Sequence, residues 1–74
     1  MIKLEDHMSW PRVGSVWEHT NGNRYMVILY TNIETDKQER YPTTIIYRNM
    51  QNNKMYSRSL MDWNRSMLFI KDCL

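Results

Sequence analysis

The sequence predicts an all-β fold, a small five-stranded antiparallel SH3-like barrel with one short helical turn. The chain has 74 residues and no alanine, the strongest helix former, while β-branched and aromatic residues are plentiful. Asn21-Gly22 stands between two apolar runs. This dipeptide is the strongest short-range hairpin signal, because both residues tolerate positive φ. An open five-stranded sheet packed against a second copy is the structural alternative.

The length predicts a single domain, with residues 1–11 as an N-terminal arm and residues 12–74 as the barrel. Pro11 donates no backbone hydrogen bond and therefore marks the entry to the ordered part. A chain this short buries only about 60% of its unfolded surface, so association with a partner or another copy is expected to help it.

The alternation of side chains along the chain and the positions of turn-forming residues predict where each strand and helix lies. Ser59 is expected to cap a single helical turn over 60–63, and the polar stretch 33–42 is expected to be a loop. The predicted strands are 15–19, 24–32, 43–48, 54–59 and 67–70.

The second strand is apolar on both faces, although one barrel has only one interior. We therefore expect a homo-oligomer, in which the outward set meets another subunit or an end segment of the chain. The two sets are Tyr25, Val27 and Leu29 on one face and Met26, Ile28 and Tyr30 on the other.

Catalytic and metal chemistry find little support in the residue types. The chain has one cysteine, Cys73 near its C-terminus, and two histidines, His7 and His19, at unrelated spacings. Such a set supplies neither a held Cys-His pair nor four zinc ligands. The only glycines, Gly14 and Gly22, form no phosphate loop. We expect a protein that is not an enzyme and uses no cofactor.

The location predicted is the cytoplasm. No run of about 18 apolar residues exists, so we expect no membrane span, and the first ten residues lack the apolar region of a signal peptide. A single cysteine fits a reducing compartment.

Aromatic residues mixed with arginines give the strongest functional hint. Arginine suits phosphate and stacks on rings, and aromatic faces stack nucleobases. Strand parity predicts that Arg48, Tyr56 and Arg58 share a face. The alternative is that the rings close a small core while the arginine stems cover its edges. The candidate ligand-binding residues are Arg48, Tyr56, Arg58, Tyr47, Trp63, Arg65 and His19.

His19 has two interpretations, because it lies beside the Asn21-Gly22 turn. It either contacts a ligand or fixes the hairpin through a hydrogen bond to the backbone. The second interpretation is favoured, since such local bonds are common at turns.

The stretch from Gly14 to Ile70 resembles a family of small uncharacterised bacterial and phage proteins. In the first half the shared pattern is Gly14, Trp17, His19, Asn21-Gly22-Asn23 and Tyr25. In the second half it is Tyr41-Pro42, Ile45-Ile46-Tyr47-Arg48, Tyr56-Ser57-Arg58, Asp62-Trp63 and Met67. The version here is similar to the phage-encoded branch. The resemblance implies the fold and a phage accessory product, and it implies no mechanism.

Three binding functions follow from these features. The first is a counter-defence protein that sequesters a nucleotide-type anionic ligand in pockets formed by a homo-oligomer. The second is a protein-interaction module that binds and inhibits a host enzyme, through an aromatic groove or an open strand edge. The third is weak binding of single-stranded nucleic acid.

Overall fold

The computed structural model describes residues 10–72 and confirms the all-β fold. One short helix precedes the last strand. The elements are β1 (Val16–His19), β2 (Arg24–Thr31), β3 (Thr44–Asn49), β4 (Met55–Ser59), α1 (Leu60–Ser66) and β5 (Met67–Lys71). Most of the predicted arm, residues 1–9, lies outside the described residues.

The five strands form one antiparallel sheet in the order β4-β3-β2-β1-β5. Four strands follow one another as a meander, and β5 returns beside β1. This is the connectivity of a small SH3-like barrel, here left open between β4 and β5, which α1 connects. Within residues 10–72 no helix has the length and apolar character needed to cross a bilayer.

The β1–β2 hairpin closes at Asn21-Gly22 as the sequence predicts. The backbone N–H of Gly22 donates to the carbonyl of His19 at 2.8 Å, and that of His19 donates to the carbonyl of Asn23 at 3.0 Å. Gly22 has a φ of 90°, in the region that favours glycine. The turn therefore depends on backbone conformation at one position.

Replacing Gly22 with valine is expected to lower the free energy of unfolding by about 1–3 kcal/mol, because a β-branched residue is strained at positive φ. No heavy atom of residues 10–72 outside the turn lies within 4 Å of an added Cβ, so the expected cost is backbone strain and not a clash with these residues. Urea denaturation measures it, and Gln51→Val, which adds the same side chain to the exposed β3–β4 turn, is the control. Equal midpoints for the two variants would contradict the assignment of the turn.

A β-bulge in β2 changes which residues face the core. Val27 pairs with Tyr47, but the next pair is Leu29 with Ile46, so Ile28 is an extra residue. After Ile28, even-numbered residues of β2 point to the core side and odd-numbered residues point away from it. The prediction that Leu29 shares the face of Tyr25 and Val27 is wrong: Leu29 is 45% exposed.

The same bulge turns Tyr30 towards the core side, where it packs against the core cluster. The buried members of that cluster are Tyr25, Val27, Ile45, Tyr47, Trp63 and Met67.

Ser59 caps α1 as predicted, since its hydroxyl accepts the N–H of Asp62 at 3.2 Å. The helix continues to Ser66, beyond the single turn that was predicted.

Burial raises the pKa of the Tyr30 hydroxyl to about 12. The hydroxyl donates to the carbonyl of Pro11. The neutral form is favoured in the folded state, so this contribution to stability is complete below about pH 10 and is lost as the pH rises to about 12. Thermal melting between pH 9 and 12 should show a steeper loss for the native protein than for Tyr30→Phe, and parallel curves would contradict this.

Candidate functional site

The pairing of β3 with β4 brings part of the predicted site together. Tyr47 lies opposite Tyr56, and Ile45 lies opposite Arg58. Because Ile45 and Tyr47 belong to the core, Tyr56 and Arg58 also point to the core side of the sheet. β4 is an edge strand, so these two side chains lie where the core meets solvent.

Three aromatic rings contact one another in a row from the core towards the surface at this edge. The rings of Tyr47 and Tyr56 are 5.9 Å apart and nearly parallel, at 29°, and the ring of Trp63 meets Tyr47 edge-on at 5.0 Å. Tyr56 is 42% exposed, while Tyr47 is buried and Trp63 has no exposed surface. Only Tyr56 of the three therefore presents a ring to a ligand, and the other two support it.

Arg58 is held beside these rings by two hydrogen bonds. Its Nε donates to the Tyr47 hydroxyl at 3.3 Å, and its Nη1 donates to the Ser66 hydroxyl at 2.5 Å. The Ser66 hydroxyl in turn donates to the carbonyl of Asp62 at 3.1 Å. Neither of the ion pairs found within residues 10–72 involves Arg58. The guanidinium is thus half-buried and oriented, and no carboxylate of residues 10–72 forms an ion pair with it.

The expectation that Arg48 shares this face is wrong. Arg48 lies opposite Met26 on β2 and Met55 on β4, and its Nη2 approaches the Met26 sulfur at 3.9 Å. Odd positions of β3 pair with even positions of β4, so Arg48 points to the other side of the sheet from Tyr56. Its Nε is buried without a hydrogen-bond partner in the described part of the chain.

Arg65 and His19 also lie apart from the Tyr56 ring. Arg65 projects from α1 with a side chain 73% exposed, 3.6 Å from the Asp62 carboxylate. His19 is on β1, three strands from β4. Its Nδ1 accepts the backbone N–H of Asn21 at 3.0 Å, which supports the interpretation that it fixes the hairpin.

A shallow groove of about 530 Å³ runs along β4 at this place. Within residues 10–72 the groove is open to solvent on one side. The lining residues are Ile46, Tyr47, Met55, Tyr56 and Ser57.

A second cavity, of about 430 Å³, was missed by the sequence interpretation. Trp10 and Tyr30 lie at its wall with ring centroids 5.6 Å apart, and among the described residues of its lining Arg12 alone is charged. The signal was Trp10-Pro11 at the end of the assumed arm. The sequence could not show that Trp10 contacts Tyr30, because the β-bulge that places Tyr30 has no visible sequence signal.

Metal ligation finds no support in the described residues. Within 10–72 no group of three or more His, Cys, Asp or Glu side chains is close enough to hold an ion. Cys73 and His7 lie outside that range. The expectation that the protein is not an enzyme stays a prediction.

No protein-family model, no curated protein and no solved structure matches this chain. The resemblance to small phage and bacterial proteins stays a prediction.

Proposed function

We propose that the chain is a non-enzymatic binding protein that holds a nucleotide-type anionic ligand against Tyr56 and Arg58. The observation that carries the proposal is the exposed Tyr56 ring, stacked on buried Tyr47, beside a guanidinium that pairs with no carboxylate of residues 10–72. A base stacked on an aromatic ring gains about 1–3 kcal/mol. An arginine held in place pairs with phosphate without further ordering cost.

The local charge supports an anionic ligand. From Arg48 to Arg65 the sequence has four basic residues and one acidic residue, Asp62. The Asp62 carboxylate pairs with Arg65 and not with Arg58. A negatively charged ligand is therefore favoured at this edge over a neutral or basic one.

The described residues of one copy leave a ligand in the β4 groove partly exposed. Ligand pockets usually bury 70% or more of a small ligand, and the groove along β4 is open. We propose that a homo-oligomer completes the pocket. The setting that we propose, from the resemblance to phage products, is the cytoplasm of an infected host, where such a protein sequesters a nucleotide signal used in defence.

The test compares nucleotides with their nucleosides by titration calorimetry, using the four common bases. A phosphate held by a charged donor contributes about 1.5–3 kcal/mol, so we expect at least one nucleotide to bind about ten- to a hundred-fold more tightly than its nucleoside. Equal affinities for each pair, or no detectable heat with any of them, would contradict the proposal.

A host protein is the second candidate partner, favoured by the open edge of β4 and the groove beside it. An extended peptide adds to such an edge through main-chain hydrogen bonds. Single-stranded nucleic acid is less favoured, because Arg48 and Arg58 lie on opposite sides of the sheet and form no continuous basic track.

A further inference from the structure

We infer that β4 pairs antiparallel with β4 of a second copy of this chain, about a two-fold axis at Ser57. Such pairing would join two five-stranded sheets into one. It would also bring Tyr56 of one copy against Arg58 of the other, so that each ligand site is completed by the second copy. The dimer needs no ligand, and only its use as a ligand site rests on the proposed function.

Among residues 10–72, β4 has a neighbouring strand on one side only, and the register identifies which of its backbone groups face the other side. The N–H of Asn49 donates to the carbonyl of Lys54 at 2.9 Å, and the N–H of Leu60 donates to the carbonyl of Thr43 at 2.9 Å. Hydrogen-bonded positions alternate along an antiparallel pair. The even-numbered residues of β4 therefore bond to β3, and the odd-numbered ones, with Ser57 at the centre, direct their N–H and C=O groups away from the sheet.

The edge of β4 has neither of the two backbone features, a bulge or a proline, that keep many edge strands apart. β4 pairs with β3 without a register shift, contains no proline and has one charged residue, Arg58, whose side chain bonds to Tyr47 and Ser66. The other edge strand, β5, has a shifted register against β1 and ends in Lys71.

The sequence of β4 is complementary to itself in this register. With Ser57 opposite its equivalent, Tyr56 lies opposite Arg58 of the second copy, and the same contact forms twice. A ring and a guanidinium in directly opposed positions attract each other. Lys54 lies opposite Leu60 of the second copy, so no like charges are opposed along the strand. This matching favours a second copy over an unrelated strand as the occupant.

Ser57→Pro is the sharpest test, with Ser57→Ala as the matched control. The outward N–H of Ser57 is removed by proline, while the β3–β4 ladder keeps all its bonds and the preceding Tyr56 stays extended. By sedimentation equilibrium without ligand, we expect the native chain and Ser57→Ala to be dimers and Ser57→Pro to be a monomer with an unchanged circular dichroism spectrum. A monomeric native chain, or a dimeric Ser57→Pro variant, would overturn the inference.

Cross-linking keeps the test decisive if Ser57→Pro does not fold. In a Cys73→Ser background, Ser57→Cys should form a disulfide-linked dimer, because directly opposed strand residues have Cα atoms about 5.5 Å apart. Met55→Cys is the control, since its equivalent lies four residues further along the facing strand. Equal cross-linking of the two variants, or none at Ser57→Cys, would contradict the register. If the chain is a dimer that binds no nucleotide, the proposed function is wrong and this inference stands. If the chain is a monomer that binds a nucleotide, this inference is wrong and the proposed function stands.

Discussion

Replacing Trp63 with alanine is expected to lower the free energy of unfolding by about 3–5 kcal/mol, the range for removing a large buried aromatic side chain. Trp63 has no exposed surface and meets the rings of Tyr47 at 5.0 Å and Trp17 at 5.6 Å. It is the buried residue of α1 and thus the main connection between the helix and the sheet. Small domains have about 5 kcal/mol of stability, so most of it would be lost.

Urea denaturation followed by circular dichroism measures this loss. Met61→Ala is the control, because Met61 lies in the same helix and is 70% exposed. Its midpoint should stay close to that of the native chain, since surface substitutions usually change stability by less than about 0.5 kcal/mol. Equal effects of the two substitutions would show that α1 does not pack on the sheet through Trp63.

Replacing Tyr56 with alanine is expected to weaken nucleotide binding by about 1–3 kcal/mol, or roughly five- to 150-fold, because the stacking surface is lost. Tyr56→Phe keeps the ring and should keep the affinity to within a few-fold. Titration calorimetry with the tightest nucleotide compares the two variants. If alanine and phenylalanine give the same affinity as tyrosine, the ring is not part of a ligand site.

Tyr56 separates binding from folding better than Arg58 does. Arg58 donates to Tyr47 and Ser66, so its removal leaves two part-buried hydroxyl groups without this partner and should cost stability as well as binding. Tyr56 is 42% exposed and donates no hydrogen bond found within residues 10–72. A loss of affinity in Tyr56→Ala with little change in melting therefore points to the ligand.

The sequence predicts the fold well where a local signal decides the structure. Asn21-Gly22 determines the first hairpin because the turn requires positive φ, and Gly22 has it. Ser59 caps α1 because a hydroxyl at that place satisfies a free N–H. Alternation of apolar residues then places the strands to within one or two residues.

The faces of the strands are less predictable, because they depend on pairing between strands. The turn between β3 and β4 is built on Asn49, whose Oδ1 accepts the N–H of Gln51 at 2.8 Å, and on Asn53, whose φ is 63°. The length of this turn places odd-numbered residues of β3 opposite even-numbered residues of β4. A turn one residue longer or shorter would have put Arg48 beside Tyr56. The sequence of β2 contains no residue pattern that predicts the bulge at Ile28. The bulge turns the Leu29 side chain away from the core.

The claim that this chain holds a nucleotide-type ligand is tested most directly by native mass spectrometry. The protein would be purified from bacterial cells without added ligand and then mixed with each common nucleotide. We predict a complex heavier than the polypeptide alone, with an extra mass that is lost on denaturation and is much reduced in Tyr56→Ala. Spectra that show only the bare polypeptide mass, or its whole multiples, under every condition would contradict the account.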